Sequence, residues 1–584
     1  MGSQEDVEAT FGAHGPRGSS SERGTLAEHE NERPFASSNG LEKAEETAME
    51  ERKSIDDVGE APVSEPYEEG NVERIHTTRS HASARSRLSR IATLASSRRK
   101  PRESLPPTIH PISDLENGIV GWDSQDDPTM PMNFEPGRKW LIVSFLAGIT
   151  FMTPFASSIL APAIEYFNQD FGNDDLTLGT LPVSIYLLGY AVGPLFLAPL
   201  SEIYGRRPIL SAANLFFCLW LIGCALAPSL STLIIFRFFA GVGGSGCLAI
   251  GGGVISDMIP IHERGKTLTI WMVGPLIGPT VAPLVGAFIA QDIGWRWSSW
   301  IAFIAATPMA VVIAIFNQET NPRVLIDRKV FRLRQELGRP ELRSVYLDTS
   351  PTAPKSTSQV LLRGLIRPIK MLFMSPIIFS VSLYCAFAYG VLYLLFSTIP
   401  LVFHDQYDFS VRITGLVYIP LGIGYILGMA CFSLLSDKTV VRMTEANNGM
   451  FEPEMRLPDC IWFAMLLPAT FFWYGWTAEF KVHWAAPVVG LLPFGIAILG
   501  IWQPIQAYII DAYPSFAASA LAAFTVFRSV VAAFLPMAGP PMYDALGLGW
   551  GNSLLGFIAI ALIPVPALIY RYGGQLRKWQ KLEL

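Results

Sequence analysis

The stretch RFFAGVGGSGCLAIGGGVISD, Arg237 to Asp257, admits two readings. Gly241, Gly243 and Gly246 hold the G-x-G-x-x-G spacing of a dinucleotide-binding loop, with a strand-like run before it at 233–236 and an acid, Asp257, after it. Yet no charge lies between the two ends, and as a helix the interval rises about 28 Å, close to one crossing of a hydrocarbon layer roughly 30 Å thick. The flanks decide between them. A dinucleotide loop needs alternating strands and helices in a soluble unit, whereas both neighbours here are further apolar runs of membrane-crossing length. The glycines are then close-packing sites on a membrane helix, and Asp257 marks its polar end.

Working outward, about twelve such runs follow one another, at 140–163, 178–199, 209–227, 233–256, 268–290, 298–316, 377–403, 413–435, 460–478, 484–510, 517–542 and 551–570. The composition agrees, since 50% hydrophobic and 16% charged residues with a mean hydropathy of +0.33 exclude a typical soluble enzyme. Much of the charge lies in residues 1–137, which are rich in Ser, Glu and Arg and too poor in apolar residues to offset their chain entropy. That segment is expected to be a disordered tail. Arg206, Arg207, Arg264, Lys266, Lys438, Arg442 and Arg456 fall in alternate short loops, as do the basic stretch 323–370 and the tail residues Arg571, Arg577, Lys578 and Lys581. Arg296, Arg412 and Lys481 are the basic residues of the opposite loops. The positive-inside rule then puts both termini in the cytoplasm. No cleavable signal peptide is expected, because the polar tail precedes the first apolar run. The six cysteines lie in or at the edge of spans without metal-ligand or redox spacing, as small packing residues do.

The chain also repeats itself. GYAVGPLFLAPLSE (Gly189–Glu202) aligns without gaps to GYILGMACFSLLSD (Gly424–Asp437), with Arg207 matching Arg442 beyond the acid. ISDMIP from Ile255 matches IIDAYP from Ile509 in the fourth and tenth runs. The expected architecture is all-α: a tail at 1–137, a six-helix bundle at 138–318, a basic loop at 319–370, a second bundle at 371–572 and a tail at 573–584. Two such bundles are the build of a secondary transporter.

These residues resemble the major facilitator superfamily, and within it the fungal twelve-span drug:proton antiporter branch. The resemblance runs from about Gly121 to the C-terminus. It rests on GWDSQDDPTMPMNF before the first span, LAPLSEIYGRRP (Leu197–Pro208), LIIFRFFAGVGGS from Leu233, GPLIGPTVAPLVG from Gly274 and YIIDAYPSFAASALAAFTVFRS (Tyr508–Ser529). It departs from the pattern at Glu202, where Asp is more usual, and at Ala282 and Pro283, where a Gly pair is common. The resemblance implies that Glu202, Arg206 and Arg207, with Asp437 and Arg442 in the second half, latch the bundles closed at the cytoplasmic end. It implies a hinge face on the fifth span at Gly274, Pro275, Gly278, Pro279, Pro283 and Gly286, with kinked packing alone as the alternative.

Arg237 and Arg528 are ionisable residues within the spans, and each needs a partner or a water-filled cavity there. For Arg237 the resemblance implies proton coupling; snorkelling to the outer surface is the other reading. Arg528 either faces a cavity or bonds helix carbonyls. No acid or histidine lies in mid-span, so proton-carrying candidates are the span-end acids Asp257 and Asp511, with Glu165, Glu202, Asp405 and Asp437 behind them. The resemblance implies that spans one, four, seven and ten line the cavity, which makes Ser157, Ser158, Tyr384, Phe387, Tyr389, Tyr393, Trp502, Gln503 and Gln506 its candidate lining. That set suits an amphipathic organic molecule. Ser89, in the basic segment 79–100, fits a basophilic kinase site, and that segment suits contact with anionic lipid.

The function implied is export of a hydrophobic or amphipathic drug, toxin or secondary metabolite across the plasma membrane in exchange for protons. Uptake of a nutrient or polyamine is the alternative, and a sensor on a transporter scaffold a remoter one. No H-E-x-x-H, G-x-S-x-G or phosphate-loop motif is present, so no enzyme, cofactor, metal or nucleic-acid partner is expected.

Overall fold

A computed structural model describes residues 110–347 and 356–579. The first half holds α1 (Pro136–Ser158), the short α2 (Ile164–Phe171), α3 (Leu176–Tyr204), α4 (Arg206–Ala225), α5 (Leu230–Met258), α6 (Ile261–Asp292) and α7 (Arg296–Phe316). Between the halves lie α8 (Pro322–Leu337) and α9 (Thr357–Met374). The second half holds α10 (Pro376–Tyr407), α11 (Val411–Leu416), α12 (Ile419–Ala446), α13 (Pro458–Glu479), α14 (Ala485–Ala512), α15 (Ala517–Phe534), α16 (Gly539–Leu562) and α17 (Pro564–Trp579).

Ten helical stretches are long and apolar enough to cross a bilayer. One of them, Ala517–Trp579, is 63 residues long and is broken at Gly547, whose φ of 72° suits glycine, so it supplies two crossings. Glu479 accepts hydrogen bonds from the Leu548 and Gly549 N–H groups at 2.8 and 3.2 Å, capping the restart. The remaining crossing is α13, whose tryptophans lower its hydropathy although it packs against α14 and α16. Among the described residues twelve crossings result.

Helix starts follow local chemistry. The Asp175 carboxylate accepts from the Thr177 and Leu178 N–H groups, and the Ser229 and Ser375 hydroxyls accept from Thr232 and Ile378. Packing repeats between the halves: α3 on α5 matches α12 on α14, α4 on α5 matches α13 on α14, and α1 on α6 matches α10 on α15. The glycines explain the closeness. A Cβ at Gly241 would sit 2.1 Å from the Tyr186 carbonyl oxygen, and one at Gly495, its counterpart at the offset of the ISD/IID match, 2.6 Å from that of Leu421. Gly243 and Gly246 meet α4 in the same way, which fixes the quoted stretch as a packed membrane helix. The bundles meet where α3 packs on α15 and where α6 packs on α11 and α12.

Residues 110–135 depart from the expected tail. Ile119–Val120 pairs in parallel with Arg343–Ser344 as a two-stranded sheet, the one strand pairing in an otherwise helical fold among the described residues. Val120, Trp122 and Met130 bury against Ile326, Val330 and Leu342. The Trp122 indole donates to Tyr346 at 3.1 Å, and Lys329 pairs with Asp123 at 2.6 Å. Composition missed this because the apolar partners lie about two hundred residues away, beyond the first bundle.

Candidate functional site

Arg237 is 1% exposed, so it does not snorkel. Its Nε donates to the Pro182 carbonyl at 2.8 Å, Nη1 to Ala156 at 2.7 Å and Nη2 to Ser157 at 2.6 Å. Two of those carbonyls belong to the last turn of α1, where a helix has no acceptors' partners of its own. The guanidinium therefore satisfies a buried helix end, and it also lies 4.7 Å from the Tyr186 ring centroid. Ser157 then reaches across to the other bundle, its hydroxyl 2.8 Å from that of Tyr393. Tyr393 lies edge-on to Tyr389 at 5.2 Å, and Tyr389 lies 4.4 Å from the Arg528 guanidinium carbon. A continuous line of contacts thus joins the two span arginines across the bundle interface.

The other cavity candidates divide. Ser158 is fully buried and donates at 2.9 Å to the Pro279 carbonyl, the one that Pro283 leaves without its helical donor, so its role here is to tie α1 to α6. Phe387 and Tyr384 are buried, the latter with no partner for its hydroxyl, while Tyr389, Trp502, Gln503 and Gln506 are half-buried. On the fifth span, a Cβ at Gly274 or Gly278 would fall 3.0 or 2.8 Å from the α1 backbone, and one at Gly286 2.1 Å from the carbonyl oxygen of Ile159, which caps α1. With Pro275, Pro279 and Pro283 inside the same helix, that face is a close contact with α1.

The basic-loop end is built twice. Arg206 pairs with Asp257 at 3.4 Å, and Arg456 pairs with Asp511 at 2.9 Å. Each pair joins a loop arginine to the acid at the end of the matching helix of its own half. Glu202 is exposed and its carboxylate bonds neither Arg206 nor Arg207; Arg207 donates to the Ala314 carbonyl at 3.1 Å instead. Asp437 and Arg442 are exposed as well. The five latch candidates are not joined in this conformation. Ser89 lies outside the described residues.

Glu319 escaped the sequence reading. It is 6% exposed, and one carboxylate oxygen accepts from the N–H groups of Arg206, Thr320 and Asn321 at 2.8, 3.1 and 2.9 Å. Gly205 makes the approach feasible: its φ is +109° and a Cβ there would lie 2.0 Å from Glu319. The signal was E-T-N-P-R directly after an apolar span, an acid followed by the Asn cap and first-turn Pro of α8. Glu454, 3% exposed and bonded by Arg577 at 2.7 and 2.9 Å, had no local signal, because its partner lies far along the chain.

At the opposite end the halves are joined. Arg412 forms an ion pair with Asp292 and its N–H donates to the Gln291 side chain at 2.8 Å. Just inside, Gly415 of α11 packs on Ala287 and Leu284 of α6. Two pseudo-equivalent bundles, cross-linked at one end and tied internally at the other, are the build of a helical membrane carrier.

Residues 146–536 match the Major Facilitator Superfamily. The chain is 43% identical over 458 residues to the MFS transporter cpaT of Aspergillus oryzae, covering 78% of this chain and 91% of the relative. It is 42% identical to the efflux pump radE of Floropilus chiversii, covering 81% and 87%. Among solved structures, the partially occluded inward-open xylose transporter XylE from E. coli matches with a TM-score of 0.56 at 16% identity over 75% of this chain and 98% of the other, a likeness of fold. The chain belongs to the Major Facilitator Superfamily. It is a multi-pass membrane transporter of small molecules, not an enzyme.

Proposed function

We propose that this transporter exports a hydrophobic or amphipathic molecule, a toxin or secondary metabolite, from a fungal cell across the plasma membrane in exchange for protons. Its basic-loop end faces the cytoplasm. The observation that carries the reading is the asymmetry of the interface: Arg412–Asp292 and Ser157–Tyr393 join the halves outside and at mid-depth, while Arg206–Asp257 and Arg456–Asp511 each stay within one half. A carrier so arranged loads from the cytoplasm, through an end where Glu202, Arg206, Arg207, Asp437 and Arg442 are parted and rejoin as a latch when the opposite end opens. The efflux-pump relative supports the direction.

Asp257 and Asp511 are the proton-carrying candidates, since each is a span-end acid held by an arginine of its own half that can exchange its charge for a proton. Arg237 takes part by fixing the end of α1 where it touches Tyr393. The kinked face of Gly274, Pro275, Gly278, Pro279, Pro283 and Gly286 is the hinge against α1. Ser157, Tyr384, Phe387, Tyr389, Tyr393, Trp502, Gln503, Gln506 and Arg528 supply the substrate wall, with Ser158 behind it. The test is transport in proteoliposomes with an imposed pH gradient and a panel of amphipathic compounds. Saturable accumulation driven by the gradient supports antiport, and movement indifferent to it removes the proton from the mechanism.

A further inference from the structure

The two buried arginines sit in opposite situations. Every nitrogen of the Arg237 guanidinium donates to a main-chain carbonyl. Arg528, on α15, is 5% exposed, and its Nε and Nη1 have no hydrogen-bond partner. What surrounds it is aromatic: the guanidinium carbon lies 4.2 Å from the Trp502 ring centroid, 4.4 Å from that of Tyr389 and 5.6 Å from that of Phe524. Beside it is a small cavity of about 10 Å³ bounded by Cys385, Ala388, Tyr389, Ile498, Ile501 and Trp502. The unpartnered polar groups nearby, Trp502 Nε1 and the Tyr425 hydroxyl, each offer a proton to donate.

A guanidinium out of water needs a negative partner or its equivalent in hydrogen bonds. Aromatic faces answer only part of that need, because they leave the in-plane N–H groups free. Here donors accumulate and no carboxylate is paired with them among the described residues, so the counter-charge comes with the cargo. The planar fork of arginine suits a carboxylate, which accepts two parallel N–H bonds, and an ionised phenol accepts one. Trp502 and Tyr389 would then stack on the apolar body next to the acid group. In this closed packing the cavity holds no more than about one water molecule, so the acid group enters as the bundles part around Arg528, and the rest of the molecule extends between them.

We infer that the carried molecule is an organic anion, an aromatic or aliphatic acid whose carboxylate or phenolate docks on Arg528 against Trp502 and Tyr389. This rests on the transporter reading above and names its substrate class.

The test is equilibrium binding of four fluorescent aromatic acids, 1-pyrenebutyric acid among them, each paired with its neutral primary amide, to the purified full-length protein in detergent. Energy transfer from tryptophan reports the affinity. The wild type is expected to bind at least one acid ten-fold or more tightly than its amide. Arg528→Gln should erase that preference with amide affinity and melting temperature retained, and Arg528→Lys should keep part of it. A preference unchanged in Arg528→Gln, or a wild type that favours no acid, overturns the inference. So does displacement of every acid by millimolar chloride, which would make the pocket a site for small inorganic anions. Probe counterflow into proteoliposomes is read separately: binding as expected without saturable movement in the wild type sinks the transporter reading and leaves the anion site standing.

Discussion

Arg237→Leu should destabilise the first bundle before it does anything else. The substitution leaves the carbonyls of Pro182, Ala156 and Ser157 buried without the donors now 2.6 to 2.8 Å away. An unsatisfied buried acceptor costs about 1–3 kcal/mol, so the gross loss is about 3–9 kcal/mol. Removing a guanidinium from a buried site relieves a desolvation penalty of several kcal/mol. The net loss expected is about 3 kcal/mol, which at no more than about 2–4 °C per kcal/mol for a large chain is a fall in melting temperature of at most about 6–12 °C. Differential scanning fluorimetry of the detergent-solubilised protein measures it. Arg237→Lys, with a point charge in place of the fork, should fall about half as far. Gradient-driven and gradient-free transport, each normalised to folded protein, should then decline together. A Leu variant that melts within 1 °C of wild type refutes the tie between α1 and α5. A variant of normal stability that keeps gradient-free transport and loses accumulation would mean that the arginine acts on the proton itself.

Gly241→Ala must move α5 away from a backbone oxygen 2.1 Å from the new Cβ, and overpacking of this kind costs about 1–3 kcal/mol. Gly252→Ala, whose nearest neighbour would be 3.8 Å away, should melt at or slightly above the wild-type temperature, and equal melting of the two variants would contradict the packing role of the opening glycines. Arg412→Ala removes an ion pair whose side chains are 46% and 42% exposed, worth about 0–1 kcal/mol, so alkylation of a Ser397→Cys reporter from the outer side should quicken by no more than about five-fold. A change of a hundred-fold would mean that this pair alone holds the outer end shut. Trp122→Ala should free residues 119–122 from the central loop, seen as faster tryptic cleavage at the exposed Arg343 with bundle melting unchanged; an unaltered rate refutes the pairing. Burial pulls the Asp127 carboxyl upward, but hydrogen bonds from the Thr129 hydroxyl and from the Thr129 and Asp123 N–H groups outweigh it and hold its pKa below the ordinary 3.8. A depressed carboxyl stabilises above its unfolded pKa and loses that contribution as the pH falls through the folded one. The 110–135 segment should thus stay protected from hydrogen exchange at pH 5, and release there would contradict the bonding.

The sequence alone determined the twelve crossings, because about 20 apolar residues in a helix fill the hydrocarbon layer whatever lies beside them. It also determined the duplication, since Gly189 with Gly424 and Asp257 with Asp511 recur at fixed offsets. Close packing at Gly241 was legible for the same reason: a missing side chain shows in the sequence. The tertiary structure decided which polar groups find partners. Arg237 and Arg528 look alike in the sequence, two arginines in apolar runs. One is met by the orphaned carbonyls of α1, about eighty residues earlier in the chain, and the other by aromatic rings and a small cavity. Likewise residues 110–135 read as a tail until Ile326, Val330 and Leu342 arrive to cover Trp122. Local composition records what a residue needs, and only the packing of distant segments decides whether the protein itself supplies it.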